Sequence, residues 1–150
     1  LKNLPDFQLV IAGDGPERAR LESLTGDLEL KNRIQFLGRI PHEDLPSLYS
    51  AGDALMLASS REGWPNVLLE SMACGTPAIA TDVGGVSEIV TEPASGLVVG
   101  TRTPEALTTA VRQLFEHLPD RAATRAYAEG FSWDATTQGQ LDLFHSIIDA

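Results

Sequence analysis

Two glutamates, Glu62 and Glu70, stand eight positions apart around a loop sequence that contains Gly63 and Pro65. A carboxylate accepts hydrogen bonds from paired hydroxyl groups, which is how proteins hold sugars and riboses. A helix is predicted to begin at Pro65 or Asn66, and the free backbone N–H groups of a helix start suit a phosphate. From spacing alone the simpler interpretation is structural: Glu70 is an acid favoured by the helix dipole, and Glu62 is a solvated loop residue.

A second loop that could bind a ligand is Gly13-Asp14-Gly15-Pro16, which follows a predicted strand. Glycine lacks a Cβ, so a ligand can approach this backbone closely. The loop is not a dinucleotide fingerprint of the form G-x-G-x-x-G, because Arg18 occupies the place of the third glycine. A plain turn between a strand and a helix fits this segment as well as a ligand-binding loop does.

These loops connect elements that alternate along the chain. Apolar, β-rich runs predict five strands, at 7–12, 33–37, 54–58, 77–81 and 96–99. Helices are predicted near 17–28, 47–49, 66–74, 86–90, 104–118 and 120–129, with a last one after Trp133. This alternation predicts a doubly wound α/β domain of Rossmann type with a parallel sheet. Ligands bind beyond the carboxyl ends of such strands, which selects the loops 13–16, 38–41, 59–66 and 82–85.

The wholly apolar third strand, 54–58, is expected to have both faces covered. At the other end of the chain, Leu141, Phe144 and Ile148 form one stripe of the last helix, and we expect them to be buried in the core or against another domain. Trp133 is expected to anchor that helix. Residues 1–6 resemble the end of a helix whose beginning is absent, so we interpret the chain as a fragment.

Composition excludes several classes of partner. The net charge is −10 and the chain has no basic run, so nucleic-acid binding is not predicted. No apolar run approaches the roughly 20 residues that span a bilayer. The only cysteine, Cys74, excludes an internal disulfide, favours a cytoplasmic setting and is expected to be buried. The three histidines lack the spacing of metal ligands; they are His42, His117 and His145.

The stretch from Arg61 to Pro77, continued by 78–85, closely resembles the retaining glycosyltransferases of family 4. Further matches, in the family's order and spacing, are Gly13–Pro16, Phe36–Gly38, Glu88–Val90, Gly96–Val99 and Phe131–Trp133. These enzymes have the GT-B fold of two facing Rossmann domains. The resemblance covers nearly the whole chain. It implies that residues 1–150 are the C-terminal donor-binding domain, that its first strand is missing, and that residues 132–149 form a terminal helix packed on it.

The resemblance also implies roles for individual residues. Glu70 would bind the ribose hydroxyls of the nucleotide, and Glu62 would contact the donor sugar as the candidate catalytic residue. Gly13 and Gly15 would line the nucleotide pocket, and Arg39 would flank the base. A further segment would offer its backbone N–H groups to the sugar and diphosphate: Gly63, Trp64, Pro65, Asn66 and Val67. Loop packing is an equally open interpretation of Trp64.

The function implied is transfer of a hexosyl group from a UDP-, GDP- or ADP-sugar with retention of configuration. No metal or cofactor is expected, since the family stabilises the leaving diphosphate with an Arg and a Lys that would precede this chain. The implied partners are the nucleotide-sugar donor and a missing N-terminal acceptor domain; membrane association is expected only through the full-length protein. The fragment alone should bind donor weakly without turnover. The alternatives are a nucleotide-sugar epimerase and a non-catalytic nucleotide-sugar-binding module.

Overall fold

The computed structural model describes residues 1–148, except for the side chain of Ala135, and its strands and helices alternate along the chain. The strands are β1 Leu9–Ala12, β2 Ile34–Gly38, β3 Leu55–Leu57, β4 Ala78–Thr81 and β5 Gly96–Val99. The helices are α1 Arg18–Asp27, α2 Leu45–Ala51, α3 Asn66–Ala73, α4 Val86–Ile89, α5 Pro104–Glu116, α6 Arg121–Glu129 and α7 Trp133–Ile148. A short 3-10 turn, His42–Asp44, precedes α2. Each predicted strand is therefore present.

The strands form two parallel sheets rather than the single sheet that we predicted. One has the order β1-β2 and the other has the order β3-β4-β5. Hydrogen bonds do not join β1 to β3, so each of these strands has an unpaired edge among the described residues. A doubly wound sheet of order 3-2-1-4-5-6 would have one more strand between β1 and β3. The division fits the missing first strand that the resemblance implies.

Burial is concentrated around β4. Its four residues are all buried, and neighbouring residues face opposite sides of the sheet. Ala78 and Ala80 pack in a cluster with Leu68 of α3, whereas Ile79 packs in a second cluster with Leu114 of α5. The two helices therefore cover opposite faces of this sheet.

The prediction that both faces of the third strand are covered is wrong. Met56 of β3 is 38% exposed, although the strand is wholly apolar. β3 pairs only with β4, so its other edge is unpaired among the described residues, and the strand is only partly shielded. Val10 of β1, at the facing unpaired edge, is likewise 46% exposed.

Residues 1–7 do not form a helix end as predicted. Hydrogen bonds from Leu4 N–H to Leu1 O and from Phe7 N–H to Leu4 O close two successive turns. The Arg33 guanidinium donates to the carbonyls of Leu1, Leu4 and Phe7, which keeps this segment in place. Leu4 is buried in the cluster under α5, and Phe7 meets Phe115 edge to face at 4.7 Å. The segment therefore connects the two sheets through α5.

The apolar stripe of α7 does not pack in the core of this chain, which was one of the two places predicted for it. Leu141, Phe144 and Ile148 are 45%, 56% and 78% exposed, and Trp133 is 82% exposed instead of anchoring the helix. Among the side chains that the structure describes, none from α7 belongs to the clusters around Leu68 and Ile79. Asp149, the last residue of the predicted 132–149 segment, lies outside the described residues. Within residues 1–148, no helix combines the length and apolarity needed to cross a membrane.

Candidate functional site

The loops after β1 and β2 meet at the carboxyl edge of the two-stranded sheet. The Gly13 N–H donates to the Gly38 carbonyl at 2.7 Å, because the parallel strands bring both loops to the same edge. Gly13 and Gly15 are exposed, and a Cβ added at either would have no heavy atom within 4 Å. This pair of loops therefore leaves open space next to backbone groups, as a ligand-binding loop requires.

Two arginines lie near this edge of the sheet, and the role predicted for Arg39 stays a prediction. Arg39, which we predicted to flank a base, is exposed and forms no ion pair within residues 1–148. Arg18 instead lies 5.9 Å above the Phe36 ring, and its Nη1 would be 3.1 Å from a Cβ added at Gly38. The ordered cation beside this loop is Arg18, which the sequence analysis did not select.

The loop between β3 and α3 is held at two points, by the last residue of β4 and by the loop after β4. The Thr81 hydroxyl donates to the Ser59 carbonyl at 2.6 Å, and the Gly85 N–H donates to the Gly63 carbonyl at 2.8 Å. Thr81 is almost fully buried, so its hydrogen bond is shielded from water. The loop 82–85, which the sequence analysis selected as a candidate ligand loop, therefore supports the loop that carries Glu62.

Close packing makes glycine necessary at this contact. A Cβ at Gly84 would lie 2.2 Å from the Glu62 carbonyl oxygen, and the residue has a left-handed φ of 55°. A Cβ at Gly85 would lie 2.8 Å from the Trp64 ring. Trp64 is 48% exposed and its ring lies next to Gly85, so the side chain packs on this loop, and its contact with a ligand stays a prediction.

Helix α3 begins at Asn66, as predicted. Pro65 precedes it, and no side chain caps the helix start. Leu68 N–H donates to the Pro65 carbonyl at 3.1 Å, so the N–H groups of Asn66 and Val67 precede the first bond of the helix. Asn66 is exposed. These N–H groups and the helix dipole together favour an anion at this end of α3.

The two glutamates differ in their partners. Both are half-buried, but only Glu70 accepts a hydrogen bond within the described chain, from the Tyr49 hydroxyl to Oε2 at 3.0 Å. Burial, and then the hydrogen bond to Glu70, raise the pKa of Tyr49, so its phenol stays protonated and acts as the donor. Neither carboxylate pairs with an Arg or Lys among residues 1–148. Both can therefore accept hydrogen bonds from a ligand.

Two shallow clefts lie away from these groups. One is lined by residues 8–10 and 31–35, at the amino ends of β1 and β2, and the other by residues 90–93, 96–98, 113, 114 and 117. Neither contains a predicted site residue. The candidate site is therefore an open edge made of loops rather than one of these clefts. No hydrogen bond between described residues links the loops at 13–15 and 38–39 to those at 62–70.

Residues 1–131 match the family model described as glycosyl transferases group 1. The chain belongs to this family. A D-inositol 3-phosphate glycosyltransferase of Corynebacterium urealyticum is 36% identical over 141 residues, which cover 91% of this chain and 33% of that protein. This group 1 chain spans about a third of the length of the curated relatives it matches.

Solved structures agree with the family assignment. Sucrose-phosphate synthase from Thermosynechococcus elongatus matches with a TM-score of 0.81 and 30% identity, over 99% of this chain and 40% of that one. Anabaena HepE in complex with UDP-glucose matches with a TM-score of 0.74 and 25% identity, over 95% of this chain and 42% of that one. The group 1 chain therefore has the Rossmann-like α/β architecture found in GT-B glycosyltransferases.

Metal-binding side chains are not grouped in the described part of this group 1 chain. No three His, Cys, Asp or Glu side chains of residues 1–148 are arranged to hold a metal ion. Cys74, which we expected to be buried, is only half-buried because it lies at the carboxyl end of α3.

Proposed function

We propose that the chain is the donor-binding domain of a retaining glycosyltransferase, which transfers a hexosyl group from a nucleotide sugar to an acceptor. The observation that carries the proposal is the placement of Glu62 and Glu70 around the uncapped start of α3, in a member of a glycosyltransferase family. The acceptor would be bound by a domain outside this chain. The UDP-glucose complex of HepE supports a uridine nucleotide as the first donor to test.

Each part of a nucleotide sugar has a candidate partner at this edge. Glu70 accepts hydrogen bonds from the ribose hydroxyls, and the N–H groups of Asn66 and Val67 bind the diphosphate. Glu62, whose carboxylate has no hydrogen-bond donor among the described residues, is the candidate catalytic group beside the sugar. The exposed backbone at Gly13 and Gly15 provides space for the nucleoside.

Charge on the leaving group sets a limit on what this chain can do alone. A helix start supplies roughly half an elementary charge, whereas the departing nucleoside diphosphate carries several negative charges. Further cations are therefore needed, and we assign this task to the Arg and Lys that the resemblance implies outside the chain. Under this proposal the reaction uses no metal, and the isolated chain binds donor weakly without turnover. A cytoplasmic setting, favoured by the single cysteine, is part of the same proposal.

The test is an amide-shift NMR titration of the chain with UDP-glucose, GDP-glucose and ADP-glucose. We expect shifts confined to the loops 13–15, 38–39 and 62–70, and a response to one nucleotide in preference to the others. Glu70→Gln and Glu62→Gln should each weaken binding, while Glu116→Gln, an exposed glutamate at the end of α5, should leave it unchanged. Binding that survives both site substitutions would place the donor elsewhere.

Turnover by the full-length protein separates the proposal from its alternatives. Transfer of the sugar to an acceptor with the anomeric configuration of the donor, measured by NMR of the product, is the expected result. Release of an epimerised sugar without transfer would indicate a nucleotide-sugar epimerase. Tight donor binding without any chemistry would indicate a non-catalytic binding module.

A further inference from the structure

A tyrosine that lies outside every predicted loop makes the one hydrogen bond that the Glu70 carboxylate receives from the described residues. Tyr49 is in the last turn of α2, and its hydroxyl donates to Glu70 Oε2 at 3.0 Å where α2 packs against α3. The contact is partly shielded from solvent. Because Glu70 has no cationic partner within residues 1–148, this phenol is the group that restricts its carboxylate.

The backbone around Tyr49 is itself held in place. The Thr76 hydroxyl donates to the Tyr49 carbonyl at 2.7 Å. The Arg121 guanidinium, from α6, donates to the carbonyls of Ser50 at 3.0 Å and Gly52 at 2.6 Å. A cation at these last carbonyls also complements the dipole of α2. The end of α2 is therefore attached to α6 and to the loop after α3, which limits movement of the Tyr49 ring.

An anchored phenol changes what Glu70 can do. A glutamate side chain has three rotatable bonds, and ordering such a side chain during binding reduces affinity. The hydrogen bond to Oε2 orders the carboxylate before a ligand arrives and leaves Oε1 free to accept from a hydroxyl group.

We propose that Tyr49 is a positioning residue that holds the Glu70 carboxylate in the orientation that binds the ribose hydroxyls of the donor. The inference rests on the proposed function, because it acts through the role of Glu70. Tyr49 itself does not contact the nucleotide. Its effect should therefore depend on the ribose hydroxyls and disappear when the ligand has none.

The experiment compares UDP with 2′,3′-dideoxy-UDP on the wild-type chain, Tyr49→Phe and Tyr127→Phe, using amide shifts to obtain dissociation constants. Tyr127 is the matched control, since its hydroxyl also donates to a protein oxygen, the Ile89 carbonyl, in a different part of the chain. We expect Tyr49→Phe to weaken UDP binding about 3- to 10-fold. Dideoxy-UDP binding should change less than about 2-fold by the same reasoning. Tyr127→Phe should not alter the ratio between the two ligands.

Other outcomes separate the inference from the function on which it rests. Equal weakening of both ligands by Tyr49→Phe would show a merely structural role and overturn the inference, while the donor site would stand. A wild-type chain that binds both ligands equally would overturn the ribose role of Glu70 and, with it, the inference. A wild-type chain that binds neither ligand would overturn the donor site and the inference together.

A measurement without ligand tests the positioning directly. Side-chain J couplings of Glu70 should report one rotamer in the wild-type chain and in Tyr127→Phe, and averaged rotamers in Tyr49→Phe. Glu70 couplings that stay unchanged in Tyr49→Phe would overturn the inference, irrespective of the dissociation constants measured with the two nucleotides.

Discussion

The loops after β1 and β2 and the loops after β3 and β4 both follow parallel strands, yet they are held in different ways. In the first pair, here called the glycine half (residues 13–16 and 38–39), one backbone hydrogen bond joins the exposed loop 13–16 to the buried Gly38. The second pair is here called the glutamate half (residues 59–70 and 81–85). Its first loop is held by the buried Thr81 hydroxyl and by the close contact with Gly84, and Tyr49 orders Glu70.

The sheets beneath the two halves explain the difference. The glutamate half stands on β4, which has a strand on either side and a helix on either face. The glycine half stands on β1, which has one unpaired edge and alternates between half-buried and exposed residues. A rigid support is needed for groups that must point at a ligand, whereas a loop that only provides space can be held more loosely. The fixed chemical groups lie on the better-packed sheet.

The largest expected effect comes from a substitution that leaves a cavity in the core below the glutamate half. Leu68→Ala removes a fully buried side chain of α3, so the free energy of unfolding should fall by about 3–4 kcal/mol. Leu24→Ala is the matched change in α1, where the side chain is 43% exposed, and should cost less than about 1 kcal/mol. Urea denaturation measures both. Similar losses of unfolding free energy in the two variants would contradict the difference in packing between the halves.

Glycine substitutions test the loops themselves. Gly84→Ala combines a left-handed φ with a backbone clash, so we expect a loss of about 2–3 kcal/mol and weaker donor binding. Gly15→Ala, in open space in the glycine half, should cost less than about 1 kcal/mol. Thermal unfolding and UDP titration measure the two effects. Donor binding that is unaffected by Gly84→Ala would show that the loop contact has no part in the site.

Removing the hydrogen bonds that attach the end of α2 to α6 should have a smaller effect on the free energy of unfolding. Arg121→Ala removes hydrogen bonds to Ser50 O, Gly52 O and Thr76 Oγ1 and should lower the free energy of unfolding by about 1–2 kcal/mol. Arg125→Ala, on the same helix, removes only an exposed pair with Glu129 and should cost about 0–0.5 kcal/mol. Equal urea midpoints for the two variants would contradict the role assigned to Arg121.

The smallest effect concerns pH. Because burial and the Glu70 hydrogen bond raise the pKa of Tyr49 above its ordinary 10.0, the unfolded chain loses this proton first as the pH rises. The stabilisation is complete below pH 10.0 and is lost above it, toward the folded-state pKa. Tyr49→Phe should therefore show a shallower loss of stability above pH 10.0 than the wild-type chain. Identical slopes in alkaline urea titrations would contradict the pKa shift.

Local signals in the sequence predicted the elements well. The Thr103 hydroxyl accepts from the Ala106 N–H at the start of α5, as its capping pattern indicates. Helix α3 begins at Asn66, one of the two positions predicted, and the five strands lie within a few residues of their apolar runs. The candidate loops could be selected because a parallel strand and its following turn are both visible in the sequence. The residue roles at those loops stay predictions.

Contacts between distant segments had no such signal. The pair Gly84-Gly85 is visible in the sequence, but the fact that it lies against the Glu62 loop is not. Tyr49 stood in a short predicted helix, and its bond to Glu70 spans 21 positions. The same limit applies to α7, where an amphipathic stripe indicates that a face can be buried but not what covers it.

By itself, the sequence determined the order of the elements, the loops that hold the glycines and glutamates, and the family. These depend on periodicity, capping residues and motif order, which are local properties of a chain. The tertiary structure alone decided that the strands divide into two sheets, that Gly84 supports the Glu62 loop, and that Tyr49 orders Glu70. Each of these depends on side chains and backbone that meet only when separate elements pack, so no local pattern encodes them.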